Sequence, residues 1–159
     1  NVDEQTMITG DNSYTLKAKE YAGNEGSHTV VMCAKMESEL SELNEEDKKL
    51  FLKDLGINHS GLDRLIFETY ELLGLSTFFT AGPKEVRAWT FKRGMTAKEC
   101  AGIIHSDIER GFIKAEIMSF KDLQELGNEK KVQESGRLRL EGKDYLMQDG
   151  DICYFRFNV

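Results

Sequence analysis

Long apolar runs are absent from this sequence of 159 residues. None of its stretches approaches the roughly 18 consecutive apolar residues that a membrane-spanning helix needs, so we expect no such helix. An initial methionine is absent too, and the acidic first four residues do not resemble a signal peptide. We therefore expect further sequence upstream of Asn1. The residues that are present, 40% hydrophobic and 31% charged, are typical of a folded globular protein.

Closely spaced cysteines are also missing. Cys33, Cys100 and Cys153 lie far apart and form no CxxC motif, and each has apolar neighbours in the sequence. This pattern favours buried, reduced thiols and a cytoplasmic location. It gives no support for a catalytic cysteine.

The charge is distributed unevenly along the chain. Residues 1–76 hold 7 Lys and Arg against 15 Asp and Glu, which gives −8, whereas residues 77–159 hold 14 against 13, which gives +1. A shift of this size predicts two units with different surroundings. A nearly neutral second unit is not by itself a sign of nucleic-acid binding.

The first half of the sequence predicts an α/β arrangement. Residues 12–24 are expected to form a helix with Asn12 or Ser13 as its N-cap, and Asn44 is placed to cap a helix that ends near Leu55. Residues 28–34, HTVVMCA, are rich in β-branched and apolar side chains, which predicts a buried strand.

A third helix is predicted for residues 60–73. Its apolar side chains recur at steps of three and four positions, so they are expected to form one buried face. These side chains are Leu62, Leu65, Ile66, Tyr70 and Leu73.

The second half predicts a different order of elements. Residues 77–81 and 86–91 are expected to be strands joined by residues 82–85, GPKE, which suit a hairpin turn. Thr96 is expected to cap a helix that runs to about Ile104. Further elements follow: a strand over 113–118, a short helix over 120–126, an alternating basic and apolar stretch over 137–140, and a final strand over 152–157 after a turn at 149–150. This is the order of a β-grasp, or ubiquitin-like, domain.

Two long strings in the second half carry a family resemblance. Residues 77–116, TFFTAGPKEVRAWTFKRGMTAKECAGIIHSDIERGFIKAE, resemble the TGS domain of the YchF-type Obg-like ATPases, and residues 136–159 resemble the C-terminus of the same family. The similarity extends back through residues 61–66 and residues 33–43, CAKMESELSEL. One departure is Lys98, which stands where the family usually has proline; lysine is a good helix former.

The resemblance implies a domain organisation. Residues 1–75 are expected to be the C-terminal portion of a P-loop nucleotide-binding domain, an α/β remnant, and residues 76–159 a TGS domain of the β-grasp type. The family's members resemble GTPases but bind and hydrolyse ATP with Mg²⁺, accept GTP as well, and associate with ribosomes. The resemblance therefore implies a ribosome-bound parent protein, with the large ribosomal subunit or RNA as partner and no membrane contact.

The resemblance also implies part of a base-binding pocket. The family has an NxxE motif where ordinary GTPases have NKxD, and here it is Asn1 to Glu4. An aspartate at the last position would accept hydrogen bonds from guanine but would face the acceptor N1 of adenine, which is unfavourable. The longer Glu4 removes that demand, so Asn1 and the backbone at Val2 are expected to contact adenine.

A second base-contacting turn is implied at Cys33, Ala34 and Lys35, which occupy the position of the family's SAK motif. Cys33 replaces the common serine, which weakens a side-chain hydrogen bond but leaves the backbone contacts. No GxxxxGK[ST] motif occurs in the sequence, and phosphoryl transfer needs that loop. We therefore expect no catalytic residue in this chain and no ATP hydrolysis by the chain alone. The alternative is a free-standing TGS-like module that binds RNA or protein without a nucleotide role.

Basic residues of the second half form a candidate RNA or ribosome surface. Basic side chains interleaved with aromatic ones can bind RNA by phosphate contact and stacking, although an ordinary solvated sheet edge has the same composition. The candidates are Lys84, Arg87, Arg93, Arg137 and Arg139.

A metal site is the remaining possibility that the sequence raises. His105, Asp107 and Glu109 stand at two-residue spacing, but a site would need further ligands. A polar helix end explains the same residues, so we expect no metal site.

Overall fold

The computed structural model describes residues 1–82 and 85–158, and the chain divides into two compact units, Asn1–Leu73 and Gly74–Val159. The first unit is helical. Its helices are α1 (Glu4–Thr9), α2 (Ser13–Asn24), α3 (Ala34–Ser41), α4 (Glu45–Asp54) and α5 (Gly61–Leu72).

Local hydrogen bonds explain where these helices begin. The Asn12 side chain accepts hydrogen bonds from the backbone N–H groups of Tyr14 and Thr15, and Asn44 accepts from Glu46 and Asp47 in the same way. An N-cap oxygen satisfies amide groups that have no partner within the helix. The predicted caps at Asn12 and Asn44 are therefore confirmed.

The strand predicted for residues 28–34 is wrong. Residues 28–33 adopt no regular structure, and Ala34 begins α3. A strand needs a neighbour whose backbone completes its hydrogen-bond ladder, and every strand of the described sheet belongs to the second unit. The segment is instead held by hydrogen bonds from the Val2 N–H to the Met32 carbonyl, at 2.9 Å, and from Arg64 to the Val31 carbonyl, at 3.4 Å, and by the contact of His28 with Glu68.

The buried face predicted for α5 is also wrong, although the helix itself is confirmed. Leu62, Leu65 and Ile66 are 55%, 42% and 51% exposed. The described residues of the first unit bury only a small hydrophobic group, Cys33, Met36 and Leu40, which lies outside α5. The apolar spacing is thus present without a surface in this unit to cover it.

The second unit contains a mixed five-stranded sheet with the order β2-β1-β5-β3-β4. The strands are β1 (Leu75–Ala81), β2 (Val86–Lys92), β3 (Phe112–Ser119), β4 (Arg139–Glu141) and β5 (Asp151–Phe157). The central pair β1 and β5 is parallel, and the other neighbours are antiparallel. The predicted strands of this half are confirmed, while Pro83 and Lys84 of the predicted turn lie outside the described residues.

Helices cover parts of both faces of this sheet. They are α6 (Ala97–Ile104), α7 (Ser106–Arg110), α8 (Phe120–Leu126) and α9 (Glu129–Glu134). Ala97 and Cys100 of α6 join Phe78 and Phe91 in one core, and Val132 of α9 packs with Met118 and Ile152 in another. The Thr96 cap and the helix that ends at Gly127 are confirmed.

The cysteines follow the prediction of buried thiols. Cys33, Cys100 and Cys153 are buried and unbridged. Burial raises the pKa of Cys100 to about 12 and also raises that of Cys153. A thiol that stays protonated is a poor nucleophile, so these two cysteines have a packing role.

Candidate functional site

The first candidate site joins the start of the chain to the start of α3. The Asn1 side-chain oxygen Oδ1 accepts a hydrogen bond from the Ala34 N–H at 2.9 Å. A neighbouring backbone hydrogen bond, from the Val2 N–H to the Met32 carbonyl at 2.9 Å, links the same two segments. Residues 33 positions apart in the sequence thereby form one surface.

Asp3 and Glu4 have different tasks in this segment. Asp3 caps α1 by accepting the Thr6 N–H at 2.8 Å, and hydrogen bonds from Thr6 hold the pKa of Asp3 below its ordinary value. Glu4, the first residue of α1, accepts a hydrogen bond from the Lys35 ammonium at 2.7 Å. That contact with Glu4 raises the pKa of Lys35, and the pair faces solvent.

Cys33 differs from the serine that it replaces. It occupies the N-cap position of α3, but its side chain makes no capping hydrogen bond and is buried. The sulfur therefore contributes packing beneath the turn, and the polar contacts of this turn come from the Ala34 backbone and the Lys35 side chain.

Two clefts flank the Asn1 segment. One, of about 350 Å³, is lined by residues 1–5 together with Cys33 and Lys35. The other, of about 390 Å³, lies between Asn1 and Tyr14 and includes Thr29, Val30 and Val31. Five of the six base-site candidates thus line the first cleft, and the sixth, Ala34, contributes its amide to Asn1 instead.

The second set of candidates consists of the basic residues, and the sheet places them at its two opposite edges. Arg87 lies on β2 and Arg139 on β4, and these strands are the two opposite edges. Four strand spacings separate them, roughly 19 Å. The basic residues therefore do not form one cluster, and Lys84 lies outside the described residues.

The arginines at the β4 edge are engaged with acids of this chain. Arg137 donates to Asp122 at 2.9 Å and to Glu125 at 2.7 Å. Arg139 donates to Glu141 at 3.4 Å and to Asp151 at 3.3 Å. Their guanidinium groups are already occupied.

Asp151, which sequence reasoning did not single out, organises the β4 side. This carboxylate is 2% exposed and accepts hydrogen bonds from the Tyr145 hydroxyl at 2.9 Å and the Gln148 N–H at 3.0 Å, in addition to Arg139. A buried carboxylate with such partners stabilises the fold locally. The turn residues at 149–150 signalled a loop here, but no sequence signal indicated these partners.

The β2 edge differs. The Arg87 guanidinium lies over the Trp89 ring at 4.1 Å from the ring centre, and Trp89 donates to the Thr80 hydroxyl at 2.9 Å. Arg93 donates to the Ser76 hydroxyl at 3.2 Å. The β2 side thus presents an arginine held by an aromatic ring.

The histidine cluster has a structural role. The His105 ring nitrogen Nδ1 accepts the Asp107 N–H at the start of α7, and Asp107 forms an ion pair with Arg110. Within residues 1–82 and 85–158, no three His, Cys, Asp or Glu side chains are grouped as a metal site would require. In the same residues, no helix has the length and apolar character to cross a bilayer.

Two solved structures, both of proteins named for GTP, share this fold. The YchF GTPase of Schizosaccharomyces pombe superposes with a TM-score of 0.83 and 32% sequence identity, over 98% of this chain and 42% of that one. A GTP-binding protein from Pyrococcus horikoshii OT3 superposes with a TM-score of 0.66 over 95% of this chain and 43% of that one, and at 15% identity it shows the fold alone.

Sequence comparison is more specific. Residues 75–158 match the family YchF-GTPase_C, described as a protein of unknown function (DUF933). The Bacillus subtilis protein named ribosome-binding ATPase YchF is 57% identical over 99% of this chain, and its Haemophilus influenzae counterpart is 50% identical over 94%. The chain belongs to the YchF family. It spans 43% of the length of the Bacillus relative.

Proposed function

We propose that this chain is the C-terminal region of a cytoplasmic, ribosome-associated ATPase. Residues 1–75 would complete the base-binding side of a nucleotide-binding domain, and residues 76–159 would form a TGS domain of the β-grasp type that docks on the large ribosomal subunit or its RNA. The names of the relatives support this proposal, as does their length, which is more than twice that of the chain. The antiparallel pair β1–β2 followed by α6 also supports the β-grasp assignment.

The hydrogen bond between Asn1 and Ala34 carries the nucleotide part of the proposal. It fixes the Asn1 amide, because Oδ1 is engaged with the Ala34 N–H, and this leaves the amide nitrogen as a donor. Asparagine suits the N7 edge of a purine, where the acceptor N7 faces an N–H donor. The residues present therefore fit a purine base.

Glu4 supports adenine as the preferred base. Its carboxylate is held by the Lys35 ammonium at 2.7 Å and so has a partner other than the base. Guanine would need that carboxylate for its N1–H and amino group, whereas adenine has an acceptor at N1. We therefore favour ATP as the ligand of the parent protein, with GTP as a weaker one.

The phosphates and Mg²⁺ would be held by residues outside this chain. The sequence contains no P-loop motif, and the described residues offer no grouped ligands for a metal. Bound Mg²⁺ would supply charge neutralisation for phosphoryl transfer. The role of this chain is to hold and select the base.

The test uses the longer polypeptide that carries this chain and compares Asn1→Ala with Asn24→Ala, a matched change at the exposed end of α2. The purine N7 is common to both nucleotides, so Asn1→Ala should weaken ATP and GTP alike. A lost hydrogen bond of about 1 kcal/mol corresponds to roughly fivefold in Kd. Titration calorimetry with each nucleotide measures this. Equal affinities for both variants would refute the role of Asn1, and no nucleotide binding by the parent would refute the nucleotide function.

The docking part has a separate test. The 159-residue chain should sediment with ribosomes, and with the isolated large subunit more than with the small one. Salt should release it, since RNA contacts depend on ion release. A chain that stays in the supernatant with both subunits would contradict the docking role. A free-standing module without a nucleotide role would pass this test and fail the calorimetric one.

A further inference from the structure

The two edges of the sheet offer alternative positions for an RNA contact. The strand order places β2 at one edge and β4 at the other, so Arg87 and Arg139 cannot contact the same few nucleotides. Whichever edge binds RNA must provide positive groups that are available to phosphates or bases.

The β4 edge is poorly suited because its cations are neutralised. Arg137 is paired with Asp122 and Glu125, and Arg139 with Glu141 and the buried Asp151. RNA phosphates would have to compete with these carboxylates for the arginines. The displaced carboxylates would then lie beside the phosphates and repel them.

The β2 edge offers a different arrangement. Arg87 is exposed and has no carboxylate within ion-pair distance among the residues that the structure describes; its guanidinium lies on Trp89. The Thr80 hydroxyl accepts a hydrogen bond from the indole N–H, which fixes the orientation of the ring. The exposed Lys92 stands five residues further along the same strand, so the alternation of side chains places it on the opposite face of the sheet from Arg87, and an RNA that contacts both has to cross this edge. A strand of that length spans about 17 Å, enough for several nucleotides.

The chemistry of this edge fits single-stranded RNA. A guanidinium plane accepts a stacked base on its open face, and its edge binds a phosphate with two N–H groups. The Trp89 ring holds the plane in position before RNA arrives, which lowers the cost of ordering the side chain.

We propose that the β2 edge is the RNA-contacting surface of this chain, with a base stacked on the Arg87 guanidinium and a phosphate bound at Lys92. This inference rests on the ribosome-docking role proposed above. It selects Arg87 from the candidate basic residues and assigns Arg137 and Arg139 to the fold.

Trp89 makes the proposal measurable, because it is the sole tryptophan of the sequence. The 159-residue chain is titrated with a single-stranded RNA of mixed sequence, about a dozen nucleotides long, which exceeds the footprint of one small domain. Tryptophan emission reports on contact at β2, and anisotropy of a fluorescein label on the RNA reports total binding. Thermal melts verify that each variant is folded.

Four variants separate the possibilities. Arg87→Ala should weaken binding by about fivefold or more, the loss expected for one stacked base. Arg87→Lys should also weaken it, because lysine keeps the charge but lacks the plane. Lys92→Ala should make the binding constant less sensitive to salt: the slope of log K against log salt concentration should fall in magnitude by about 0.7. Arg137→Gln, at the opposite edge, is the matched control and should bind like the parent chain.

The contrary results are equally distinct. A loss with Arg137→Gln but not with Arg87→Ala would overturn the proposal in favour of the β4 edge. RNA binding without a change in Trp89 emission would place the contact elsewhere and overturn it too. A chain that sediments with ribosomes but does not bind the RNA would overturn RNA as the ligand and leave the docking role intact. A chain that does neither would end both proposals.

Discussion

Replacing Gly111 by alanine should destabilise the second unit at the end of the β3–β5 pair. Gly111 precedes Phe112, which pairs with Phe157, and the Asn158 N–H donates to the Gly111 carbonyl at 2.9 Å. A Cβ built on Gly111 would lie 2.0 Å from the Asn158 carbonyl oxygen and 2.8 Å from its carbon. Both contacts are backbone, so no flexible side chain can give way.

The expected cost follows from this geometry. The φ of Gly111 is −87°, which alanine adopts without strain, so the whole effect is steric. Overpacking of this kind costs about 1–3 kcal/mol. The cost falls at the lower end of that range if Asn158 moves away and relieves the clash. The chain then loses only the hydrogen bond from Asn158 to Gly111, which is worth about 1 kcal/mol.

The assay is urea unfolding followed by Trp89 emission, which reports on the second unit. Gly142→Ala is the matched control, because a Cβ there meets nothing within 4 Å and its φ is not positive. Its stability should change by about 0.5 kcal/mol at most. If Gly111→Ala were as stable as Gly142→Ala, the steric argument would be refuted.

Three further predictions concern buried and paired groups of the second unit. Asp151→Ala should cost about 3–5 kcal/mol by urea unfolding, because it leaves its hydrogen-bonding partners unpaired, whereas the exposed Asp144→Ala should cost little. Cys100 and Cys153 should not react with a thiol reagent at about pH 8 until the chain unfolds, since burial raises both pKa values; rapid labelling of the native chain would contradict this. Hydrogen bonds from Ser119 and Arg137 lower the pKa of Asp122 from its ordinary 3.8. Their stabilising effect is complete above that ordinary value and is lost as the pH falls through the folded-state pKa of Asp122. The urea concentration at the unfolding midpoint should therefore drop slightly between about pH 5 and about pH 3. The drop should be smaller in Arg137→Gln.

The sequence predicted the features that depend on nearby residues and missed those that depend on residues far away in the chain. The caps at Asn12, Asn44 and Thr96 depend on hydrogen bonds within three residues, so the local sequence contains all the information. The strand expected at 28–34 depends on a neighbouring strand, which local composition does not reveal. The apolar face of α5 shows the same limit, because its spacing indicates a helix but not what covers it.

The same limit applies to the candidate sites, whose contacts join residues far apart in the chain. The family resemblance assigned Asn1 and Ala34 to one base pocket, but the hydrogen bond between them was not anticipated, because no spacing rule connects residues 33 positions apart. The pairing of Arg137 with Asp122 and Glu125 was not anticipated, because charge alone does not reveal a partner. The roles of both groups in binding remain predictions.

The open edge at β2 has a consequence for solubility. β4 is only three residues long, whereas β2 is a seven-residue edge strand, and among the residues that the structure describes no further strand lies beyond it. Charged side chains on such an edge oppose pairing between copies, and Arg87 and Lys92 stand near its two ends. Apolar replacements at both positions should therefore favour aggregation, because the cations that we assign to RNA also oppose pairing between copies of this edge.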